Sequence, residues 1–316
     1  MVDSDTVIVS VVIPSFNEEE SLPHLMEILV DVLQQHFRSS YEILIIDDGS
    51  SDGTASLALE LTEKYPGLRY IQFQRNYGKA AALMEGFRRA TGNYIITMDA
   101  DLQDDPQEIP ALVSMLENGS DLVSGWKKER HDPITKTIPS KLFNAVTRWT
   151  TGIKIHDFNC GLKAYQRDVA KQVKIHGELH RYIPVLAHFM GYSVSEKIVQ
   201  HHPREYGTTK YGISRFFRGF FDYITVLFLS RYTKRPMHFF GMGGLVLTIF
   251  GMVINLYLVI FKIMGGHLSN RPLLFLGVLL VIVGIQLFSI GLLGEMVAYE
   301  NRDNDLPKIR QEIPPP

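Results

Sequence analysis

Asp99-Ala100-Asp101 closes the strand-like run 93–98 and leads into Leu102-Gln103. Two carboxylates two residues apart, just past a buried strand, can both reach one divalent cation. A hard cation with oxygen ligands and open positions is how proteins commonly hold a diphosphate, so the spacing points to a nucleotide-linked substrate. Solvated turn aspartates are the competing reading, because Asp is common in turns. The company these residues keep decides between the two.

Residues 7–125 alternate strand and helix signals. Short runs rich in β-branched or aromatic residues fall at 7–13, 41–46, 69–74, 93–98 and 121–125. Helix-period apolar positions fall between them at 21–36, 54–65, 78–90 and 109–117. Ser21 and Thr54 fit N-caps, and Gly67, Gly92 and Gly119 fit helix stops. The alternation predicts an α/β fold, a mostly parallel sheet flanked by helices. Ligands of such sheets sit outside the carboxyl ends of the strands. Those ends carry Pro14-Ser-Phe-Asn-Glu18, Asp47-Asp-Gly-Ser50, Arg75-Asn-Tyr-Gly-Lys79 and the Asp99–Asp101 pair. Four polar clusters at four strand ends favour the metal reading. The turn after the first strand contains no glycine, so a dinucleotide-type glycine loop is excluded there. Diphosphate charge must then be met by a cation and by basic side chains, which Asp99, Asp101, Gln103 and Lys79 can supply.

Residues 126–210 are less regular: a basic loop (126–136), a helix-like stretch (140–151), a polar turn (156–161) and a second basic loop (201–210). His201 and His202 are adjacent and point apart, which suits solvated or supporting histidines better than a metal pair. With one cysteine, Cys160, an internal disulfide and a multi-cysteine metal cluster are both excluded, and a reducing compartment fits. The net charge of -2 gives no footprint for nucleic acid. The N-terminal residues lack the pattern of a signal peptide.

Phe239–Phe261 and Leu273–Gly294 are uncharged, and each would form a helix longer than a hydrocarbon core of about 30 Å. The pair reads as a transmembrane hairpin. Arg215, Arg218, Arg231, Lys234 and Arg235 precede it and Arg302, Lys308 and Arg310 follow, while its connection holds Lys262 and Arg271. That bias places both ends in the cytoplasm. Between 211 and 235, Phe216, Phe217, Phe220, Phe221 and Ile224 share a helical face opposite Arg215, Arg218 and Asp222, as a helix lying in the interface would. Gly244 and Gly251, and Gly277, Gly284 and Gly291, recur every two helical turns and offer a packing or oligomer seam, which Asn255 and Gln286 could bridge. The expected organisation is a catalytic domain at 1–210, juxtamembrane amphipathic helices at 211–236, two membrane helices at 237–299 and a tail at 300–316.

With these residues in place the chain resembles glycosyltransferase family 2, the nucleotide-sugar enzymes of GT-A fold. Val11-Val-Ile-Pro-Ser-Phe-Asn-Glu18, Ile46-Asp-Asp-Gly-Ser-Ser-Asp-Gly-Thr54, Asn76-Tyr-Gly-Lys79 and Met98-Asp-Ala-Asp-Leu-Gln103 carry its motifs in order. The C-terminal hairpin narrows the resemblance to polyisoprenyl-phosphate glycosyltransferases of the bactoprenol glucosyltransferase type, similar also to dolichyl-phosphate mannose synthases. The resemblance implies that Pro14, Phe16, Glu18, Asp48 and Lys79 hold the nucleotide and that Asp99, Asp101 and Gln103 hold Mg2+ or Mn2+. It assigns the lipid phosphate to Lys127, Lys136, Ser140, Arg204 and Lys210, with Lys where the mannose synthases tend to have Arg. Asp157 matches an acidic position and joins Asp101 as a catalytic candidate.

The implied reaction is inverting, metal-dependent transfer of a hexose, glucose from UDP-glucose, to a polyisoprenyl phosphate. It would take place at the cytoplasmic face of a bacterial plasma membrane, in a homo-oligomer for which a tetramer is one size. A GDP-mannose-dependent synthase is the alternative enzyme. A catalytically silent sugar-nucleotide sensor is the non-enzymatic one, disfavoured by the intact aspartate pair.

Overall fold

The computed structural model describes residues 7–128, 144–145, 147–149, 151–175, 179–203, 236–267 and 272–300. The chain divides into two compact units, Met1–Asp222 and Tyr223–Pro316.

The first unit is built on a seven-stranded sheet of β1 (Val9–Ser15), β2 (Tyr41–Asp47), β3 (Leu68–Gln72), β4 (Tyr94–Thr97), β5 (Leu122–Trp126), β6 (Lys163–Gln166) and β7 (Val194–Ile198). Its order is β3-β2-β1-β4-β6-β5-β7. β6 runs antiparallel to both neighbours and the remaining pairs are parallel. The helices are α1 (Leu22–Phe37), α2 (Thr54–Lys64), α3 (Lys79–Arg89), α4 (Ile109–Glu117), α5 (Arg167–Gln172) and α6 (Ile183–Phe189). All five strands and four helices expected before residue 126 are present. β6 and β7 are not legible as strands, because β6 has four residues with a lysine among them and β7 is only half-buried.

Alternation sets the two faces. Val11, Ile13, Ile43, Ile45 and Ile96 join Leu25, Leu29 and Leu33 of α1 and Leu112 and Leu116 of α4 in one core. On the other face Gly86 of α3 lets the helix lie directly on Val12, where any Cβ would collide with that side chain. Each fully buried Leu or Ile contributes about 1.5–3 kcal/mol of transfer free energy. Ser21 stands at the N-cap position of α1 without a side-chain capping bond, and Thr54 is one residue past the N-cap of α2. The Ser21 hydroxyl donates to Glu18, and Thr54 is already helical, its Oγ1 accepting the Glu18 N–H at 2.9 Å. Both hydroxyls are taken by the loop after β1, and that competition overrides the capping preference.

The strand order reverses direction at β1, with β2 on one side and β4 on the other. Crevices of open α/β sheets lie at such switch points. Here the two carboxyl ends carry residues 14–18 and 98–104.

The second unit contains α7 (Pro236–Ile263) and α8 (Pro272–Glu300), both long and apolar enough to cross a membrane. Most of their large apolar side chains face outward, which the core helices of a soluble protein do not do. The recurring glycines form the seam between the two helices: a Cβ on Gly244 would lie 2.5 Å from the Gly284 carbonyl oxygen, and one on Gly251 would lie 2.7 Å from that of Gly277. Among the described residues no hydrogen bond from Asn255 or Gln286 crosses between the two helices. Asn255 donates to the Gly251 carbonyl of its own helix at 2.9 Å, and Gln286 is exposed. The interfacial stretch 211–235 lies outside the described residues. So does half of 140–151, of which 144–145, 147–149 and 151 are helical.

Candidate active site

The loops after β1 and β2 are stitched together by side chains. Asn17 takes φ 55° and its N–H donates to Ser50 Oγ at 2.8 Å, while its own Oδ1 accepts the Ser51 N–H at 2.9 Å. Asp47 turns inward, accepting from Ser50 and from the Tyr70 hydroxyl at 2.5 Å. Asp48 is buried and accepts the backbone N–H groups of Tyr77 at 2.6 Å and Gly78 at 2.9 Å. Burial pushes its carboxyl up despite these two donors. Its position fixes the turn at which α3 begins, and therefore the root of Lys79. Pro14, Phe16 and Glu18 line the neighbouring strand end half-buried.

Lys79, the first residue of α3, lays its ammonium on Asp99 Oδ1. Asp99 is shaped from the other side by Gly161, where a Cβ would stand 2.6 Å from Asp99 Oδ2 and 2.9 Å from Asp104 Oδ2. Only a residue without a side chain lets this turn close on both acids. Asp104 is buried and pairs with Lys127 at 2.8 Å. Asp101 Oδ1 accepts the Gln103 N–H at 3.3 Å, across Leu102 at φ 59°. The strained turn holds both motif carboxylates on one loop.

Asp157 is 1% exposed, and its Oδ1 accepts the Asn159 N–H at 3.0 Å. Lys163 of β6 is buried, donates to the Cys160 carbonyl and stands within electrostatic reach of Asp157, Asp99 and Lys79. Burial alone would push the Asp99 carboxyl up, but Lys79, Lys127 and Lys163 together hold it below the usual range. Lys127 feels the opposite balance: burial would lower it, and Asp104 raises it. Cys160, buried among the same charges, is pushed up to about 12 by burial and so stays a thiol.

Thus Lys79, Asp99, Asp101 and Lys127 come together with Asp157 close by. The Lys127 ammonium is committed to Asp104. Lys136, Ser140, Arg204 and Lys210 lie outside the described residues. The sequence alone does not mark Asp104, Lys163 or His180. Asp104 sits next to the motif without spacing of its own to mark it, and the other two lie in the irregular half of the unit. The histidine pair behaves as supporting structure: His201 bridges to Asp104 through the backbone, and the His202 N–H donates to the Gln103 carbonyl at 3.0 Å. His202 Nε2 lies 3.4 Å from Asp105 Oδ2.

The donor set suits a hard divalent cation. Asp99 and Asp101 offer carboxylate oxygens only, Asp99 already holds a cation in the form of Lys79, and no cluster of three or more His, Cys, Asp or Glu occurs among the described residues. A two-carboxylate set with substrate phosphates completing the shell is the usual arrangement for Mg2+.

The sequence model for glycosyl transferase family 2 matches residues 10–174. The chain is 43% identical over 299 residues to the dodecaprenyl-phosphate galacturonate synthase of Rhizobium johnstonii, covering 92% of this chain and 87% of that one. It is 34% identical over 292 residues to the undecaprenyl-phosphate 4-deoxy-4-formamido-L-arabinose transferase of Photorhabdus laumondii, covering 92% and 88%. Among solved structures, the glucosyl-3-phosphoglycerate synthase of Mycobacterium tuberculosis in complex with Mn2+, UDP-glucose and phosphoglyceric acid aligns with a TM-score of 0.53. Identity there is 19%, with 71% of this chain and 79% of that one covered, a likeness of fold.

Proposed function

Because the chain belongs to glycosyl transferase family 2, we propose that it moves a glycosyl group from a nucleotide sugar to a polyprenyl phosphate at a membrane face. One observation carries this reading. The same chain joins a lysine-balanced aspartate pair at the sheet's switch point to two helices apolar enough to span a bilayer. The basic residues flanking those helices favour a cytoplasmic catalytic unit in the plasma membrane.

The acceptor shapes the chemistry. A phosphomonoester with a second pKa near 6 is mostly ionised at neutral pH and needs no residue to remove a proton. The protein's task is to bring two anions together and steady the departing diphosphate. Mg2+ or Mn2+, held by Asp99, Asp101 and Gln103, would neutralise charge on that leaving group. Lys79 faces the same diphosphate from the start of α3, and Pro14, Phe16, Glu18 and the Asp48-anchored turn frame the nucleoside. Lys127, Lys136, Ser140, Arg204 and Lys210 are the residues for the lipid phosphate, Lys127 from its pair with Asp104. Attack from the face opposite the diphosphate inverts the anomeric centre in one step. Asp157, fixed beside Lys163, orients the sugar; a homo-oligomer would array several such sites on one membrane.

The resemblance to bactoprenol glucosyltransferases implies UDP-glucose. The names of the two relatives carry galacturonate and formamido-arabinose instead, and we favour galacturonate from a uridine nucleotide. Three buried or half-buried lysines around Asp99 supply the positive field that a carboxylated sugar requires. The deciding experiment incubates the full-length protein with UDP-glucose, UDP-galacturonate or GDP-mannose, polyprenyl phosphate and Mn2+, then identifies the lipid by mass spectrometry. A hexuronosyl phospholipid is expected. A glucosyl or mannosyl product overturns the choice of sugar, and no glycolipid from any donor overturns the activity.

A further inference from the structure

His180 sits in a 3-10 turn, Leu179–Tyr182, that packs on α3, the helix opened by Lys79. Its Nδ1 is sealed from solvent and has no hydrogen-bond partner among the described residues. A buried polar atom left without a partner costs about 1–3 kcal/mol, so an atom in this position calls for a ligand or a water. The charges acting on the ring are those of Lys79, Arg181, Lys163 and Asp99; Lys79 and Lys163 are two of the three lysines that also act on Asp99. Burial first, and those three cations after it, hold the imidazole well below its ordinary pKa, so the ring is neutral.

We propose that His180 is a specificity residue that receives a ring hydroxyl of the donor sugar at Nδ1. A neutral imidazole nitrogen is an acceptor in one tautomer and a donor in the other. A hydroxyl answers either, whereas diphosphate oxygens only accept, and Lys79, Lys127 and Lys163 already supply cationic charge nearby. The reacting sugar would lie next to the diphosphate that Lys79 and Asp99 face, and the same two side chains act on this ring. The inference rests on the nucleotide-sugar reading above and adds the side chain that distinguishes the sugar from the bare nucleotide.

The experiment compares binding of UDP, UDP-glucose and UDP-galacturonate, each with Mn2+, to full-length wild type, His180→Leu and His180→Gln. For His180→Leu the UDP affinity stays within about twofold, the affinity for the bound UDP-sugar falls roughly tenfold, and the ligand-free melting temperature holds or rises. His180→Gln, which keeps an acceptor and a donor, recovers most of the sugar term, and its comparison with His180→Met carries the test if the leucine variant does not fold. Equal losses for UDP and UDP-sugar, or no loss for either, overturn the proposal. Wild-type protein that binds none of the three nucleotides overturns the reading beneath it, a result distinct from an unaltered variant.

Discussion

The Lys79 ammonium rests on the Asp99 carboxylate, the first acid of the pair proposed to hold a divalent cation. The protein thus carries its own counter-ion at the proposed metal position, with Lys127 and Lys163 adding to the positive field. A bare cation approaching Asp99 is repelled, while a cation arriving with a nucleotide diphosphate brings a partner for the displaced lysine. Lys79→Met is therefore expected to tighten Mn2+ binding measured without nucleotide, by roughly threefold or more, and to weaken Mn2+–UDP binding about tenfold. Calorimetric titration of both ligands checks the opposite signs. Losses in both titrations would show that Lys79 supports the loop instead of opposing the metal.

Lys127 and Asp104 form a buried pair, with side-chain exposures of 12% and 0%. Removing one partner of such a pair strands the other and costs about 3–5 kcal/mol, whereas replacing both by apolar groups is often neutral. Lys127→Ala should lower the melting temperature clearly, and Lys127→Met with Asp104→Leu should restore much of it. Failure of the double variant to regain stability would give Lys127 a role in folding beyond charge compensation.

This pair also marks where the sequence stops being legible. Asp99, Asp101 and Lys79 could be found because each follows a strand whose period is plain, and the sheet brings those ends together. Lys127 is visible as a basic residue after β5, but its seat on Asp104 depends on Gly161 closing the turn against both acids. Lys163 looks like a surface lysine until β6 is inserted antiparallel between β4 and β5, a pairing set by tertiary contact and by no local periodicity. His180 is hidden for the same reason, since only packing shows that its nitrogen is sealed.

Glu42 offers a test of the sheet's own electrostatics. Its buried carboxylate accepts from the Ser10 hydroxyl at 2.7 Å, from the Thr91 N–H at 2.6 Å and hydroxyl at 2.7 Å, and from Arg69 at 3.2 Å. Burial pushes its pKa up, and these donors outweigh that and leave it lowered. An acid whose folded pKa lies below its unfolded value stabilises fully above the unfolded pKa, and that stabilisation is lost as pH falls through the folded one. For Glu42 the loss belongs below pH 4.5. Glu42→Gln should destabilise at pH 7 by about 1–3 kcal/mol, and the gap from wild type should narrow as pH drops through that window. Melting curves at pH 7 and pH 4 check this; a gap that widens toward acid refutes it.

The hairpin makes the last prediction, because its glycines are used within one chain. A Cβ on Gly244 would lie 2.5 Å from the Gly284 carbonyl oxygen and 2.7 Å from the Phe288 backbone nitrogen, atoms that cannot turn aside. Gly244→Leu must then push α7 and α8 apart, at a cost of about 1–3 kcal/mol for overpacking a tight contact. A cysteine pair at Asn255 and Gly277, where a Cβ would stand 2.9 Å from the Asn255 oxygen, reports on the seam in a Cys160→Ser background. Crosslinking within single chains is expected in that background and should fall sharply when Gly244→Leu is added. Particle mass in detergent should stay constant, because this face is already occupied by the chain's own second helix. Intact crosslinking with a change in particle mass would instead move the glycine seam to an interface between copies.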